Sequence, residues 1–99
     1  MEASFSLNDN TARITLSGDF TFEAHRSFKE AGQHALDSAN ASALEIDFAA
    51  VDYMDSAALG MLLLLRERFG ARPIRLINTR GTVKAVLDVA NFGRLFQFE

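Results

Sequence analysis

The segment of residues 44–69 constrains the fold most, because it runs from a strand through an acidic turn directly into a long apolar helix. Leu44–Phe48 alternates apolar and acidic side chains, which predicts a β-strand. Asp55 is a residue type that caps helix N-termini and Gly70 is the type that ends helices, so a helix is predicted between them, to about Phe69. A strand followed at once by such a helix is the repeating unit of α/β proteins.

The predicted helix is apolar through most of its length, and Met61–Leu65 are five consecutive apolar residues. A helix that is apolar all round is usually buried, which favours a central position against the sheet. One helix face, however, cannot hide five consecutive apolar residues. The alternative interpretation is that part of the run is an exposed patch on which a partner docks. The sequence leaves the buried and the exposed interpretation open.

Two short alternating runs, residues 4–8 and 12–17, come before this segment and are joined by Asn and Asp residues. This pattern predicts a β-hairpin. Gly18–Asp19 then breaks the strand, and Thr21 is a plausible N-cap for a first helix that ends near residues 37–40. The apolar stripe of this helix has the spacing of an amphipathic helix and consists of Ala24, Phe28, Ala31 and Ala35.

The C-terminal third repeats the strand and helix alternation. Ile74–Ile77 is predicted as a strand, a third helix starts at Gly81, and Leu95–Phe98 is predicted as a last short strand. The predicted order is ββαβαβαβ in one domain, residues 1–99. Strands that alternate with helices after a hairpin predict an α/β fold, with a mixed β-sheet of about five strands packed with about three helices.

Composition excludes several classes of function. A net charge of −3 and a pI near 5.3 argue against nucleic-acid binding, which needs a basic face. The absence of cysteine removes disulfides, thiolate catalysis and cysteine-based zinc sites. Residues 1–5 lack the features of a signal peptide, and the longest apolar run is far shorter than the ~20 residues of a membrane span. We expect a cytoplasmic protein without membrane insertion.

Ser56 has the most distinctive chemical setting in the chain. With Asp55 as the N-cap, Ser56 occupies the first helical position, where the amides have no intrahelical acceptors and the helix dipole is positive. A phosphate on the Ser56 hydroxyl would gain from both, whereas Asp52 and Asp55 would repel the roughly two added negative charges. A modification that changes surface charge with a modest effect on the fold is suited to switching a binding event.

Other chemistries at this turn lack the residues they need. His25 and His34 lie on the first predicted helix, and no G-x-S-x-G turn surrounds the serine, so a hydrolase base is missing. Nine positions apart, the two histidines are also a poor metal pair. Asp47, Asp52 and Asp55 invite comparison with an aspartate receiver or a magnesium site, but that pattern needs more βα units. The separate glycines form no phosphate-cradling loop. We expect no catalytic residue, metal or cofactor, and no enzymatic activity.

The turn resembles the serine site of STAS domains, specifically that of bacterial anti-sigma factor antagonists. In that family a strand leads into a D-S-[SA]-G-[LA]-G-like turn, and the serine is phosphorylated by a partner kinase. Asp52 also matches an acidic position that is common in the family. The element order, from hairpin to turn, follows the family across most of the chain. The residues that match the motif are Asp55, Ser56, Ala57, Leu59 and Gly60.

The resemblance implies a single STAS-like domain that acts as a phosphorylation-switched binding protein. Its unphosphorylated form would bind a partner with a serine kinase domain, often an anti-sigma factor. This binding would release the target protein that the partner restrains. Phosphorylation of Ser56 would weaken the complex until a serine phosphatase of the PP2C type restores it. The implied partner-binding surface consists of Asp52, Asp55, Ala57, Ala58, Gly18, Asp19, Phe20 and Thr21. Phe20 and Phe22 are candidate aromatic anchors there.

The chain departs from the family pattern at two places. Ala58 stands where the family usually has glycine, which would give the turn an ordinary backbone or a slightly different shape. The sequence also stops at Glu99, soon after the last predicted strand, where many members add a terminal helix. The alternative function is a STAS-like accessory subunit of a transport complex, for example for lipids, that is not phosphorylated.

Overall fold

The structure, a computed structural model, describes residues 1–38 and 40–98. The predicted order ββαβαβαβ is confirmed in this part of the chain. The strands are β1 (Glu2–Asn8), β2 (Thr11–Ser17), β3 (Ala43–Ala50), β4 (Ile74–Ile77) and β5 (Gln97–Phe98). The α-helices are α1 (His25–Asp37), α2 (Ser56–Phe69) and α3 (Gly81–Val89), and two 3-10 turns cover Phe22–Ala24 and Phe92–Arg94. Ala39, at the predicted end of the first helix, and Glu99 lie outside the described residues.

The five strands form one sheet in the order β1-β2-β3-β4-β5. The hairpin β1–β2 is antiparallel, and every later neighbouring pair is parallel. Each pair of neighbouring parallel strands is connected through a helix. When such connections are right-handed and each leads to the next strand along the sheet in the same direction, their helices all lie on one face of the sheet. The mixed sheet is therefore covered on one face by α1, α2 and α3, and its other face is open.

The core lies between the sheet and the three helices. Ile14, Ile46 and Leu76 are directly aligned across β2, β3 and β4, and all three are fully buried beneath the helices. Gly32 on α1 allows α2 to approach closely, because a Cβ at this position would lie 3.3 Å from Leu65 Cδ1. Close contact between the two helices thus depends on one residue without a side chain.

The open face carries ionic pairs instead of apolar side chains. Arg13, Glu45 and Arg75 are aligned across β2, β3 and β4. The Glu45 carboxylate pairs with Arg75 and lies 3.7 Å from Arg13 Nη1. These cross-strand pairs give the open face a mixed and nearly balanced charge.

The α2 apolar run is divided between buried and exposed residues. Leu62 and Leu65 are buried in the core, whereas Leu63 and Leu64 are exposed, with 56% of Leu64 accessible. None of the helices in the described residues combines the length and apolar character that crossing a bilayer requires.

Two predicted boundaries differ from the structure. Thr21 stands at the predicted N-cap position, but the first segment after it is a 3-10 turn, the Thr21 side chain makes no capping hydrogen bond, and the α-helix begins at His25. The last strand begins at Gln97 and not Leu95, since the preceding 3-10 turn and its bonds from Leu95 and Phe96 back to Phe92 occupy this stretch.

Candidate functional site

The turn that carries Ser56 is built from two loops, residues 18–22 and 51–55, whose backbones are hydrogen-bonded to each other. Phe20 N donates to Tyr53 O at 2.9 Å, and Asp55 N donates to Phe20 O at 3.2 Å. Gly18 N donates to Ala50 O at 3.0 Å and extends the pairing to the end of β3. The loop before α1 therefore lies directly beside the start of α2.

Asp55 is the N-cap of α2, as predicted. Its Oδ1 accepts a hydrogen bond from Ala58 N at 3.1 Å, which satisfies one of the first amides of the helix. Its Oδ2 accepts a hydrogen bond from Phe22 N at 3.3 Å. One carboxylate thus fixes both the start of α2 and the loop that leads into α1.

Ser56 is the first residue of α2, and it is exposed. Among the described residues, its hydroxyl has no hydrogen-bond partner. Because Asp55 already supplies the cap, the hydroxyl has no structural task at this position. It stands in the positive field of the helix N-terminus and is accessible to another protein.

Asp52 lies in the second loop and is almost fully in solvent, with a side chain that is 81% exposed. Its Oδ1 is 3.2 Å from Arg80 Nη2, and the same nitrogen donates to Ala49 O at 2.6 Å. Arg80, just before α3, thus connects a third loop to the turn. Sequence analysis missed Arg80, because no local pattern relates it to a residue 28 positions earlier.

Two exposed aromatic residues lie on the same loops. Phe22 is 70% exposed and its ring stacks on that of His25 with 6.1 Å between centroids. Tyr53 is 48% exposed. Phe22 was a predicted anchor, but Tyr53 was not singled out, although its place between Asp52 and the buried Met54 was a usable signal.

Two predicted surface residues are buried, and this part of the prediction is wrong. Phe20 is inaccessible to solvent and packs in the core, with its ring centroid 5.0 Å from that of Phe28. The Ala58 side chain is also fully buried. Because Ala58 is a regular residue of α2, with its amide bonded to the cap, this position has no need of glycine.

The other predicted surface residues remain accessible. Gly18 and Asp19 are exposed, and Thr21 and Ala57 are partly exposed. Gly18 has φ +98°, a left-handed conformation that favours glycine, so its place in the loop has a backbone reason.

Asp47 is near the Ser56 turn in sequence but belongs to the open face of the sheet. Oδ1 accepts bonds from Asn78 Nδ2 and Ala49 N, both at 2.9 Å, and Oδ2 accepts one from Arg13 Nη2 at 2.7 Å. Burial alone would raise the pKa of Asp47, but these donors outweigh burial and hold the pKa below its ordinary value. The described residues contain no group of three or more acidic or histidine side chains arranged for a metal.

Comparison with known proteins identifies the family. The family described as "Mlab, STAS domain" matches residues 3–97. The chain belongs to the STAS domain family. A STAS-domain containing protein of Pseudomonas aeruginosa (strain UCBPP-PA14) is 36% identical over 86 residues, which cover 85% of this chain and 83% of that protein.

Solved structures of anti-sigma factor antagonists share the STAS fold of this chain. An antagonist from Mycobacterium paratuberculosis has a TM-score of 0.87 at 16% identity, over 97% of this chain and 82% of that one. The antagonist SpoIIAA in its unphosphorylated form has a TM-score of 0.74 at 18% identity, over 98% of this chain and 86% of that one. The phosphorylated Bacillus SpoIIAA gives 0.73 at 18% identity, over 98% and 90%. At these identities, the likeness concerns the fold.

Proposed function

We propose that this STAS domain is an anti-sigma factor antagonist whose binding to its partner is switched by phosphorylation of Ser56. The observation that carries the proposal is an exposed serine hydroxyl, free of hydrogen bonds within the described residues, at the start of α2. The shared fold with an antagonist that has been solved in both phosphorylated and unphosphorylated forms supports it.

The partner would supply the catalysis and this chain the acceptor. Ser56 Oγ attacks the γ-phosphorus of ATP held by the partner's serine kinase domain, and the bond between that phosphorus and the β,γ-bridging oxygen breaks to release ADP. The hydroxyl proton passes to a base of the kinase. On this proposal the chain is a substrate and a ligand, and it is not itself an enzyme.

The unphosphorylated turn offers a surface suited to an apolar partner patch. Phe22 and Tyr53 are the exposed aromatics of the two loops. Aromatic side chains of this kind commonly carry much of the binding energy of an interface. Ala57 is small and partly exposed, so it allows a partner to approach Ser56 closely.

A phosphate on Ser56 would change this surface through charge. It adds roughly two negative charges beside Asp55 and Asp52, and these three groups would have to be desolvated together in the complex. The helix N-terminus reduces the loss of folding stability that the phosphate causes, but it does not reduce the repulsion between the phosphate and the partner. A serine phosphatase of the PP2C type would return the hydroxyl by hydrolysis, with water supplying the oxygen of the released phosphate.

The test combines mass measurement with a binding assay. The purified protein is incubated with Mg-ATP and the serine kinases encoded beside its gene, and intact-mass analysis is expected to find one added phosphate. Ser56→Ala should abolish this addition, while Ser6→Ala, which alters an exposed serine of β1, should leave it unchanged. The phosphorylated protein should lose binding to the kinase that modified it.

Two outcomes would contradict the proposal. One is the absence of phosphate on Ser56 with every such kinase. The other is stable co-purification with transporter subunits that Ser56→Asp does not weaken, which would support the accessory-subunit alternative.

A further inference from the structure

An apolar groove runs between α1 and α2. Its volume is about 90 Å³, and most of the residues that line it are apolar. Gly32 of α1 is one of the residues that line it. The other apolar lining residues are Phe28, Met61, Leu64 and Leu65.

The polar residues that line the groove are basic. They are His25, Lys29 and Arg68, and no acidic residue of the described part of the chain lines the groove, although the chain has a net charge of −3. Among the described residues, neither Lys29 nor Arg68 forms a salt bridge. Arg68 Nη2 donates instead to the neutral Gln33 Oε1 at 3.0 Å, which positions the guanidinium while leaving its charge uncompensated by a direct ion pair.

The size of the groove decides what kind of group fits. A volume of about 90 Å³ is well below the ~300–1,000 Å³ of ordinary small-molecule sites. An extended lipid chain would leave most of its carbon atoms outside. One large apolar side chain, presented by a longer segment that lies along the helices, is a better match.

The groove is continuous with the surface around Ser56. Ala57, Met61, Leu64 and Arg68 are spaced four, three and four residues apart, so they follow one face of α2 away from the turn. At the same end of α1, the His25 ring lies against Phe22. A partner that covers the Ser56 turn would therefore meet the groove without leaving the protein surface.

We propose that this groove binds an acidic amphipathic segment of a protein partner, with one large apolar side chain inserted between α1 and α2 and carboxylates facing Lys29 and Arg68. The proposal rests on the proposed function only in assigning this segment to the partner that reads Ser56. It adds a second contact, which depends on charge and not on the phosphorylation state.

The test uses peptides and no kinase, so that its outcome is independent of Ser56 phosphorylation. A displayed library of random 16-residue peptides is selected on the wild-type protein at low salt. Recovered sequences should carry an excess of Asp and Glu, with apolar residues three or four positions apart. When a recovered peptide is added to the isotope-labelled protein, the NMR chemical-shift changes should map to Gly32, Met61 and Leu64.

Matched variants separate the groove from general electrostatic attraction. Lys29→Glu combined with Arg68→Glu should weaken the recovered peptides about ten-fold or more, since two favourable charge contacts become repulsive. Lys84→Glu combined with Arg94→Glu changes net charge equally at α3 and the following turn, and should have little effect. Leu64→Gln, at an exposed position that should not disturb folding, should weaken binding without a charge change.

Three results would overturn the proposal. The first is recovered peptides without an acidic excess, and the second is equal weakening by both double variants. The third is a concentration-dependent dimer in analytical ultracentrifugation that Leu64→Gln abolishes, which would assign the groove to a second copy of the chain. If the peptides bind as expected but no kinase modifies Ser56, the groove stands and the proposed switch does not.

Discussion

Asp47 and Asp52 lie five positions apart around the end of β3, yet the structure gives them opposite roles. The Asp47 side chain is 11% exposed and accepts hydrogen bonds from Asn78, Ala49 and Arg13. The Asp52 side chain is 81% exposed and has one ionic contact, with Arg80. The first carboxylate, on β3, connects its strand to β2 and to the residue that follows β4, on the open face of the sheet. The second remains available to a partner.

The difference shows which polar groups this fold pairs within the protein and which it leaves exposed. On the open face, the carboxylates accept hydrogen bonds and ion pairs from neighbouring segments of the protein, so they are not available to a partner. At the Ser56 turn, Asp55 is used to cap the helix, while Ser56 and Asp52 are left largely to solvent. Residues on loops held by a rigid scaffold are the usual carriers of function.

The largest effect should come from Asp47→Ala. This change leaves Arg13, Asn78 and the Ala49 amide without their acceptor, and the free energy of unfolding should fall by about 2–3 kcal/mol. Urea denaturation measures the loss, with Asp52→Ala as the matched control. The assigned difference between the two aspartates would be wrong if both variants lost the same stability.

The pH dependence of stability should sharpen the same contrast. The pKa of Asp47 is lower in the folded protein than its ordinary value of 3.8. The stability that this carboxylate contributes is therefore fully present above the unfolded pKa and is lost as pH falls through the folded pKa. The stability gap between wild type and Asp47→Ala should be constant near neutral pH and shrink below about pH 4. A gap that widened in acid would contradict the sign of this shift.

Asp55→Ala should have an intermediate effect. Loss of an N-cap costs about 1 kcal/mol, and here the bond to Phe22 N is lost too. Thermal unfolding measures this change, and Asp55→Asn is the control because the asparagine oxygen can still cap Ala58 N, although its NH2 group cannot accept from Phe22 N. If Asp55→Asn restores the part of the stability that the cap supplies but not partner binding, the carboxylate charge has a second role at the surface.

The smallest effect on stability should come from Asp52→Ala. Its pair with Arg80 is exposed, and such pairs contribute roughly 0–1 kcal/mol. The free energy of unfolding should change by less than about 0.5 kcal/mol, while affinity for the partner should change more. A larger loss of stability, measured by urea denaturation, would show that Asp52 stabilises the fold as Asp47 does.

Local patterns were enough to predict the element order and the cap of α2. Alternation predicted the hairpin, Gly70 marked the end of α2, and Asp55 was recognised from its residue type and position. These features depend on interactions between near neighbours in sequence, so a single sequence contains them.

The errors concern contacts between distant segments. Phe20 was expected at the surface because it lies in the loop that the family resemblance assigns to the partner-binding surface, but that loop pairs with residues 51–55 and the ring is buried in the core. The bonds from Asn78 and Arg13 to Asp47 join residues more than 30 positions apart. No local rule indicates such partners, and the structure was needed to separate the buried aspartate from the exposed ones.

The strand order of the sheet has a consequence for the growing polypeptide. Because the order of the strands in the sheet equals their order in the chain, each strand after β1 is synthesised when one of its sheet neighbours is already complete. Both loops of the Ser56 turn and the whole of α2 are complete by residue 69. Among the described residues, the side-chain hydrogen bonds that this turn receives from the last third of the chain come from Arg80, which bonds to Ala49 O and Asp52, and both bonds are exposed.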